Sequence, residues 1–216
     1  MDEILFGQGM DFSLDKIKDD LKKLSEKEFL IKYILKSDNW YFSEYQKQSD
    51  VYAIGQMESL KEILNKQIGV AFHNVLMVGS GKIGCSLAPK KNWKKFDEEN
   101  DSDIDIALIS SKLFECMWEK IRIEYNQNYI SRYTTIASSV FRGFINENNF
   151  RGVDAVRPFW NKQIDEANKE IQNKLSVYHT INYRIYRSWE DLEAYHINGL
   201  RKLKQEVNYT DYGIDI

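Results

Sequence analysis

Val75-Leu76-Met77-Val78 is apolar at every position and stops at Gly79. A run this short and this uniformly apolar reads as a buried strand, because helices need longer stretches and leave polar positions on one side. A second strand begins near Asp103 and continues through Ile104, Ile106, Ala107, Leu108 and Ile109. Residues 177 to 187 alternate, with Val177, Ile181, Tyr183 and Ile185 on one face and Thr180, Asn182 and Arg184 on the other. That is the pattern of a half-buried strand.

Around these strands the apolar spacing is helical. Leu14, Ile17, Leu21 and Leu24 share one face, Leu30, Tyr33 and Ile34 a second, and Ile54, Met57, Leu60 and Leu64 a third. Ser25 with Glu28 makes a capping box, and Gly69 marks a helix end. Ser110 and Ser111 can cap a helix bearing Phe114, Met117, Trp118 and Ile121. Further helical patterns run through Ile136, Val140, Phe141 and Phe144, then through Ile164, Ala167, Ile171 and Leu175, with a turn or short extended piece from Arg151 to Pro158 between them. A last helix carries Leu192, Tyr195, Gly199 and Leu203, and the tail from Asp211 to Ile216 reads as frayed. Residues 85 to 102, with Pro89, four lysines and Asp97-Glu98-Glu99, suit an irregular surface loop. The fold class is therefore α/β (α+β): a helical region over residues 1–70 packed on a core over 71–216, the whole forming one compact unit.

The 216 residues fit one domain, and 43% hydrophobic content supplies its core. Thirty Lys and Arg against 33 Asp and Glu leave a net charge of −3, which excludes a global basic field for nonspecific nucleic-acid binding. Cys85 and Cys116 have neither metal-ligand spacing nor disulfide-scaffold density. The start Met1-Asp2-Glu3-Ile4-Leu5 lacks the basic and apolar regions of a signal peptide, and no stretch approaches the ~18 apolar residues of a membrane span. The expectation is a cytoplasmic protein with no membrane partner.

The stretch from Val75 to Ser110 carries the chemistry. Gly79, Gly81 and Gly84 spell the G-x-G-x-x-G dinucleotide pattern after a strand. That fingerprint needs a sustained helix and an acid at the far end of the next strand, whereas Pro89 and a lysine-rich run follow here and the aspartates lead the strand. Gly81-Lys82 resembles the end of a Walker A loop, but Leu76 stands where its first glycine belongs and Ile83 where Ser or Thr belongs. Asp103 and Asp105, two apart on a strand, point to one face and bring two carboxylates together. Mg²⁺ takes one or two carboxylates and completes its shell with water and phosphate oxygens. Gly79-Ser80 would be the opposing phosphate turn, since glycine lets backbone N–H groups approach an anion and serine adds a hydroxyl donor. Lys82 stands where it could add a cation.

Gly79-Ser80-Gly81-Lys82-Ile83-Gly84, followed across a loop by Ser102-Asp103-Ile104-Asp105-Ile106, resembles the G-S…D-x-D signature of the DNA polymerase β-like nucleotidyltransferases. The resemblance covers roughly residues 74–110. It implies a small mixed sheet flanked by helices, with Gly79 and Ser80 binding the triphosphate and Asp103 and Asp105 holding Mg²⁺ or Mn²⁺. It further implies an enzyme that moves a nucleoside monophosphate from an NTP, ATP first among them, to a hydroxyl on RNA, protein or a small molecule, releasing pyrophosphate. Small relatives often act with a protein partner in toxin–antitoxin or phage-defence pairs. The family's third carboxylate sits on a later strand beside the aspartate strand, where residues 177 to 187 offer Asn182 and Arg184, and Asp154 is the substitute candidate if its segment is extended. The alternative is a nucleotide-sensing or partner-binding module of the same fold that lost turnover with that acid.

Other groups read as structural. Lys90, Lys91, Lys94 and Lys95, with Trp93 and Phe96 between them, read as a solvated loop anchored by its aromatics rather than a polynucleotide grip, because Asp97, Glu98 and Glu99 cancel most of the charge. Asp101 falls outside the metal pair. Arg184 and Arg187 are expected to form ion pairs with Glu190 or Asp191. His73, His179 and His196 lack ligand spacing.

Overall fold

The computed structural model describes residues 10–150 and 152–211. The first five residues and the tail beyond Asp211 lie outside the described residues.

Helix α1 (Leu14–Lys23) is followed by α2 (Glu26–Leu30), whose start is the Ser25–Glu28 capping box, with both reciprocal hydrogen bonds formed. The chain continues through two π-helical turns, Ile31–Leu35 and Tyr41–Tyr45, into α3 (Asp50–Ile68). Gly69 ends α3 in the left-handed region, φ 77°, and its N–H returns to Asn65 O at 3.0 Å. Strand β1 (Val75–Val78) passes directly into the short α4 (Gly79–Ile83). After an irregular loop come β2 (Ile104–Ile109) and α5 (Ser111–Gln127), the latter capped by the Ser110 hydroxyl, which accepts from Leu113 N at 3.2 Å. Then follow α6 (Tyr133–Phe141), β3 (Phe144–Asn146), α7 (Glu147–Phe150), α8 (Arg157–Leu175), β4 (Ile181–Tyr186) and α9 (Trp189–Asp211).

Phe144, expected to extend a helix, instead opens β3. Gly143 sits at φ 77° and stops the helical path, and β3 then pairs with β4. The strand expected from 177 begins only at Ile181.

The sheet order is β1-β2-β4-β3, with β2–β4 parallel and both outer pairs antiparallel. The architecture is mixed α/β, a four-stranded mixed sheet flanked by helices. One sheet face presents Val75, Met77, Ile106, Leu108, Tyr183 and Ile185, which share a core with Leu60 of α3, Met117 of α5 and Trp160 and Ala167 of α8. The other presents Leu76, Val78, Ala107, Ile109, Phe144 and Tyr186, packed with Ile17, Leu21, Phe29 and Leu30 of the N-terminal helices and Leu192 and Leu200 of α9. Burying one such side chain contributes about 1.5–3 kcal/mol, so covering both faces is what holds the central strands in place.

Asp20 is a buried charge on the N-terminal side. It is 5% exposed and accepts from Lys16 Nζ at 2.9 Å, from Lys32 Nζ, and from the Tyr33 hydroxyl at 2.7 Å. Burial alone would raise its carboxyl, but these three donors outweigh that and hold it below the ordinary range. Among the described residues no helix is long and apolar enough to cross a membrane.

Candidate active site

The register of β1 and β2 decides the site. Val78 pairs with Asp105, so the end of β1 and the start of β2 meet at the same edge of the sheet. At that edge Gly79 turns the chain with φ 71°, and a Cβ there would sit 3.3 Å from Asp105 Cβ and closer still to its carboxylate. Only glycine fits, both for its dihedral and for the approach. A Cβ on Gly81 would meet Ile104 Cδ1 at 3.0 Å, and one on Gly84 (φ 84°) would strike the Trp40 indole at 2.7 Å. These close approaches press α4 against β2 and the Trp40 ring.

Asp103 precedes β2 and Asp105 lies within it, two residues on and near enough for the two charges to repel. Burial, and then Asp103, push the Asp105 carboxyl up to about 6, while Arg184 and Lys91 act in the opposite sense. On the neighbouring β4, Asn182 stands opposite Asp105 and its side-chain amide donates to Asp103 Oδ2. Asn182 therefore occupies the position beside the aspartate strand where a third carboxylate was sought. Asp154 does not serve instead: it lies in a turn, its side chain 80% exposed and paired with Arg157 at 3.0 Å, and it lines a different cavity.

A cavity of about 740 Å³ opens over this edge, within the usual range for small-molecule sites. Gly79, Ser80, Asp103 and Asp105 all line it, together with Lys91, Arg142, Asn146, Arg184 and Lys202. Lys82, expected to add a cation, does not reach it. Its stem is buried and its ammonium donates to the carbonyls of Lys36, at 2.6 Å, and Asp38, and burial lowers its pKa to about 8. Position 82 falls on the inner side of α4, which turns its side chain toward the chain that follows the first π turn.

The 85–102 loop is irregular as expected and is tied down by a bridge between Cys85 and Lys95 and by buried Phe96, which packs in an aromatic cluster with Trp40, Tyr41, Tyr45 and His179. Lys94 pairs with Glu99 at 2.6 Å and Asp101 at 3.0 Å, which leaves Asp101 outside the carboxylate pair. Lys91 of the same loop faces the cavity, an assignment that its loop composition did not carry. Arg187 pairs with Asp191 at 3.0 Å as expected. Arg184 does not: its guanidinium lies 4.6 Å from the Tyr195 ring centroid and 5.5 Å from that of Phe144.

His179 bridges Tyr41, at 3.1 Å, and Asp97, at 3.4 Å, a structural role. His73 packs edge-on against Phe72. His196 lines the cavity, and burial, aided by Arg184, lowers its pKa to about 3.

Among the described residues no cluster of three or more His, Cys, Asp or Glu side chains is placed to hold a metal ion. The Asp103–Asp105 pair, with an open cavity above it, is a donor set suited to one Mg²⁺ that takes its remaining ligands from water and phosphate, not to a closed structural ion. Comparisons of the chain with protein-family models, with curated proteins and with solved structures gave no match.

Proposed function

We propose that this chain is a metal-dependent nucleotidyltransferase acting in the cytoplasm. The observation that carries the reading is the abutment of the Gly79-Ser80 turn on Asp105 across the β1–β2 register, at the rim of one cavity that Asp103 also lines. The turn would receive the triphosphate on its backbone N–H groups and the Ser80 hydroxyl, with Lys91 adding a positive charge from the loop. Asp103 and Asp105 would hold Mg²⁺ or Mn²⁺, which neutralises triphosphate charge and activates the acceptor hydroxyl. In the reaction the acceptor hydroxyl gives up its proton to water, its oxygen bonds the α-phosphorus of the NTP, the α–β bridging P–O bond breaks, and pyrophosphate leaves.

A second reading, a nucleotide-binding module without turnover, is favoured by one observation: an amide, Asn182, stands beside the aspartates where a further acid would complete the site. Incubation with α-labelled NTPs, Mg²⁺ or Mn²⁺ and a pool of cell RNA, protein and small molecules separates the two. Label on an acceptor with wild type, lost in both Asp103→Ala and Asp105→Ala while circular dichroism is unchanged, is the expected result. Transfer retained by both variants would overturn the assignment of the pair. Metal-dependent ATP binding with no transfer would support the module.

A further inference from the structure

Arg184 is the only charged residue of β4, and strand period puts it on the same face as Asn182, which pairs with Asp105 of β2. It therefore lies on the aspartate face, next along β4 from the amide that stands where a third acid was sought. Its charge is enclosed rather than led out to solvent. The Nε is sealed, the guanidinium carbon stands 4.6 Å from the Tyr195 centroid and 5.5 Å from that of Phe144, and Nη1 donates to the Tyr186 hydroxyl at 3.5 Å. These three rings pack on one another, Phe144 on Tyr195 at 5.0 Å between centroids and Tyr186 on each of them at 5.9 Å. Such a pocket fixes a guanidinium by cation–π attraction and stacking.

A neutral side chain would fill this pocket without the cost of enclosing a charge, so packing alone does not account for an arginine here. Asp105 does account for it: Arg184 is its counter-charge, and each favours the charged form of the other. The attraction does not ligate. Among the described residues no hydrogen bond or direct ion pair joins Arg184 to Asp103 or Asp105, and the side-chain donor on the pair is Asn182, on Asp103. Arg184 thus offsets the charge of Asp105 and leaves its oxygens open to a metal ion.

The charge sum at this edge is small in consequence. Asp103 and Asp105 supply two negative charges, while Arg184 from β4 and Lys91 from the loop oppose them. A pair of divalent ions brings four positive charges to one site, and here β4 contributes a cation where such a site needs a further acid. A lone divalent ion meets a field already largely offset, whereas an ion bound to a triphosphate arrives with its own negative charge.

We infer that Arg184 is a fixed counter-charge of the aspartate pair, so that this site takes a single divalent ion and takes it together with a triphosphate. Arg184 is a positioning residue in this role, since it acts through Asp105. The inference rests on the reading of Asp103 and Asp105 as metal ligands.

The test counts Mn²⁺ on the intact chain by electron paramagnetic resonance, with Mn²⁺ alone and with Mn²⁺ plus α,β-methylene-ATP, an analogue that cannot release pyrophosphate. With the analogue, wild type binds one Mn²⁺ per chain and shows no spin-coupled pair; without it, Mn²⁺ binds at least about tenfold more weakly. Arg184→Met keeps an unbranched stem and removes the charge, and it binds Mn²⁺ without nucleotide at least about tenfold more tightly than wild type. Arg184→Lys, which keeps the charge, stays close to wild type. Three results would each overturn the inference: two coupled ions on wild type, equal Mn²⁺ affinity of wild type with and without the analogue, or Arg184→Met binding no more tightly than wild type with its circular dichroism unchanged. The count on wild type decides even where Arg184→Met does not fold. Mn²⁺ binding by the Asp103→Ala/Asp105→Ala variant equal to that of wild type removes the metal reading and the inference with it. Two coupled ions on wild type that are lost in that variant remove the inference and leave the metal reading standing.

Discussion

Replacing Gly79 by alanine tests the turn and the carboxylate that crowds it in a single change. The native φ of 71° costs an L-residue about 1–2 kcal/mol. The new Cβ would also lie 3.2 Å from Asp105 Cγ, which drives that side chain off its rotamer for about a further 0.5–1.5 kcal/mol. The expected loss is about 2–3 kcal/mol, which in a chain of this size lowers the melting temperature by about 4–10 °C. Since Asp105 is displaced from Asp103, Mg²⁺-dependent ATP binding should fall by at least about tenfold, equivalent to about 1.4 kcal/mol. Thermal melts followed by circular dichroism in EDTA measure the first effect, and titration with Mg·ATP the second. Gly55→Ala is the internal comparison: a Cβ there meets nothing within 4 Å and it lies inside α3, so it should stabilise by about 0.5–1 kcal/mol. A Gly79→Ala protein that melts within a degree of wild type and binds ATP unchanged would refute the close approach of the turn to Asp105.

Other substitutions probe separate parts of the structure. Asp20→Asn removes the charge that Lys16, Lys32 and Tyr33 surround and should cost about 1–3 kcal/mol in urea melts at pH 7. Because the folded carboxyl lies below its unfolded value of ~3.9, that contribution is present above pH ~4 and is lost as the pH falls further. The gap between the two proteins should therefore narrow at pH 3, and a gap that widens there would refute the sign. Asn182→Asp places a third carboxylate beside Asp103 and Asp105, so it should lower the melting temperature in EDTA and raise the increment gained on adding Mn²⁺; an increment equal to wild type would show that position 182 does not face the bound ion. Lys82→Met should leave Mg·ATP binding unchanged, since the amine faces Lys36 and Asp38 rather than the cavity; a tenfold loss would restore it to the nucleotide site.

Features encoded within a few residues were legible in the sequence alone. Ser25 with Glu28, Gly69 and Ser110 each mark a helix end through hydrogen bonds that span three or four positions, and the structure forms them. The apolar run before Gly79 and the aspartates leading the next strand were legible for the same reason, since strand period places both carboxylates on one face whatever the sheet around them. Side-chain destinations were not. Lys82 carries the composition of a phosphate ligand and is buried on carbonyls from residues 36 and 38, and Arg184, expected to pair with Glu190 or Asp191, lies over Phe144 and Tyr195. β3 is not legible in the sequence because three residues carry no period, and it exists only through its partner β4.

The sequence by itself therefore determined most of the helices and the strands β1, β2 and β4, and that a flexible-backbone turn and two carboxylates are available, because those properties depend on near neighbours along the chain. Only the tertiary structure decided that β1 and β4 flank β2, and that single ordering brings Gly79 against Asp105, sets Asn182 beside Asp103 and gathers Lys91, Arg142, Arg184 and Lys202 around one cavity. Strand order is chosen by which faces of the sheet the helices cover, a balance of buried area summed over the whole chain that no local pattern contains.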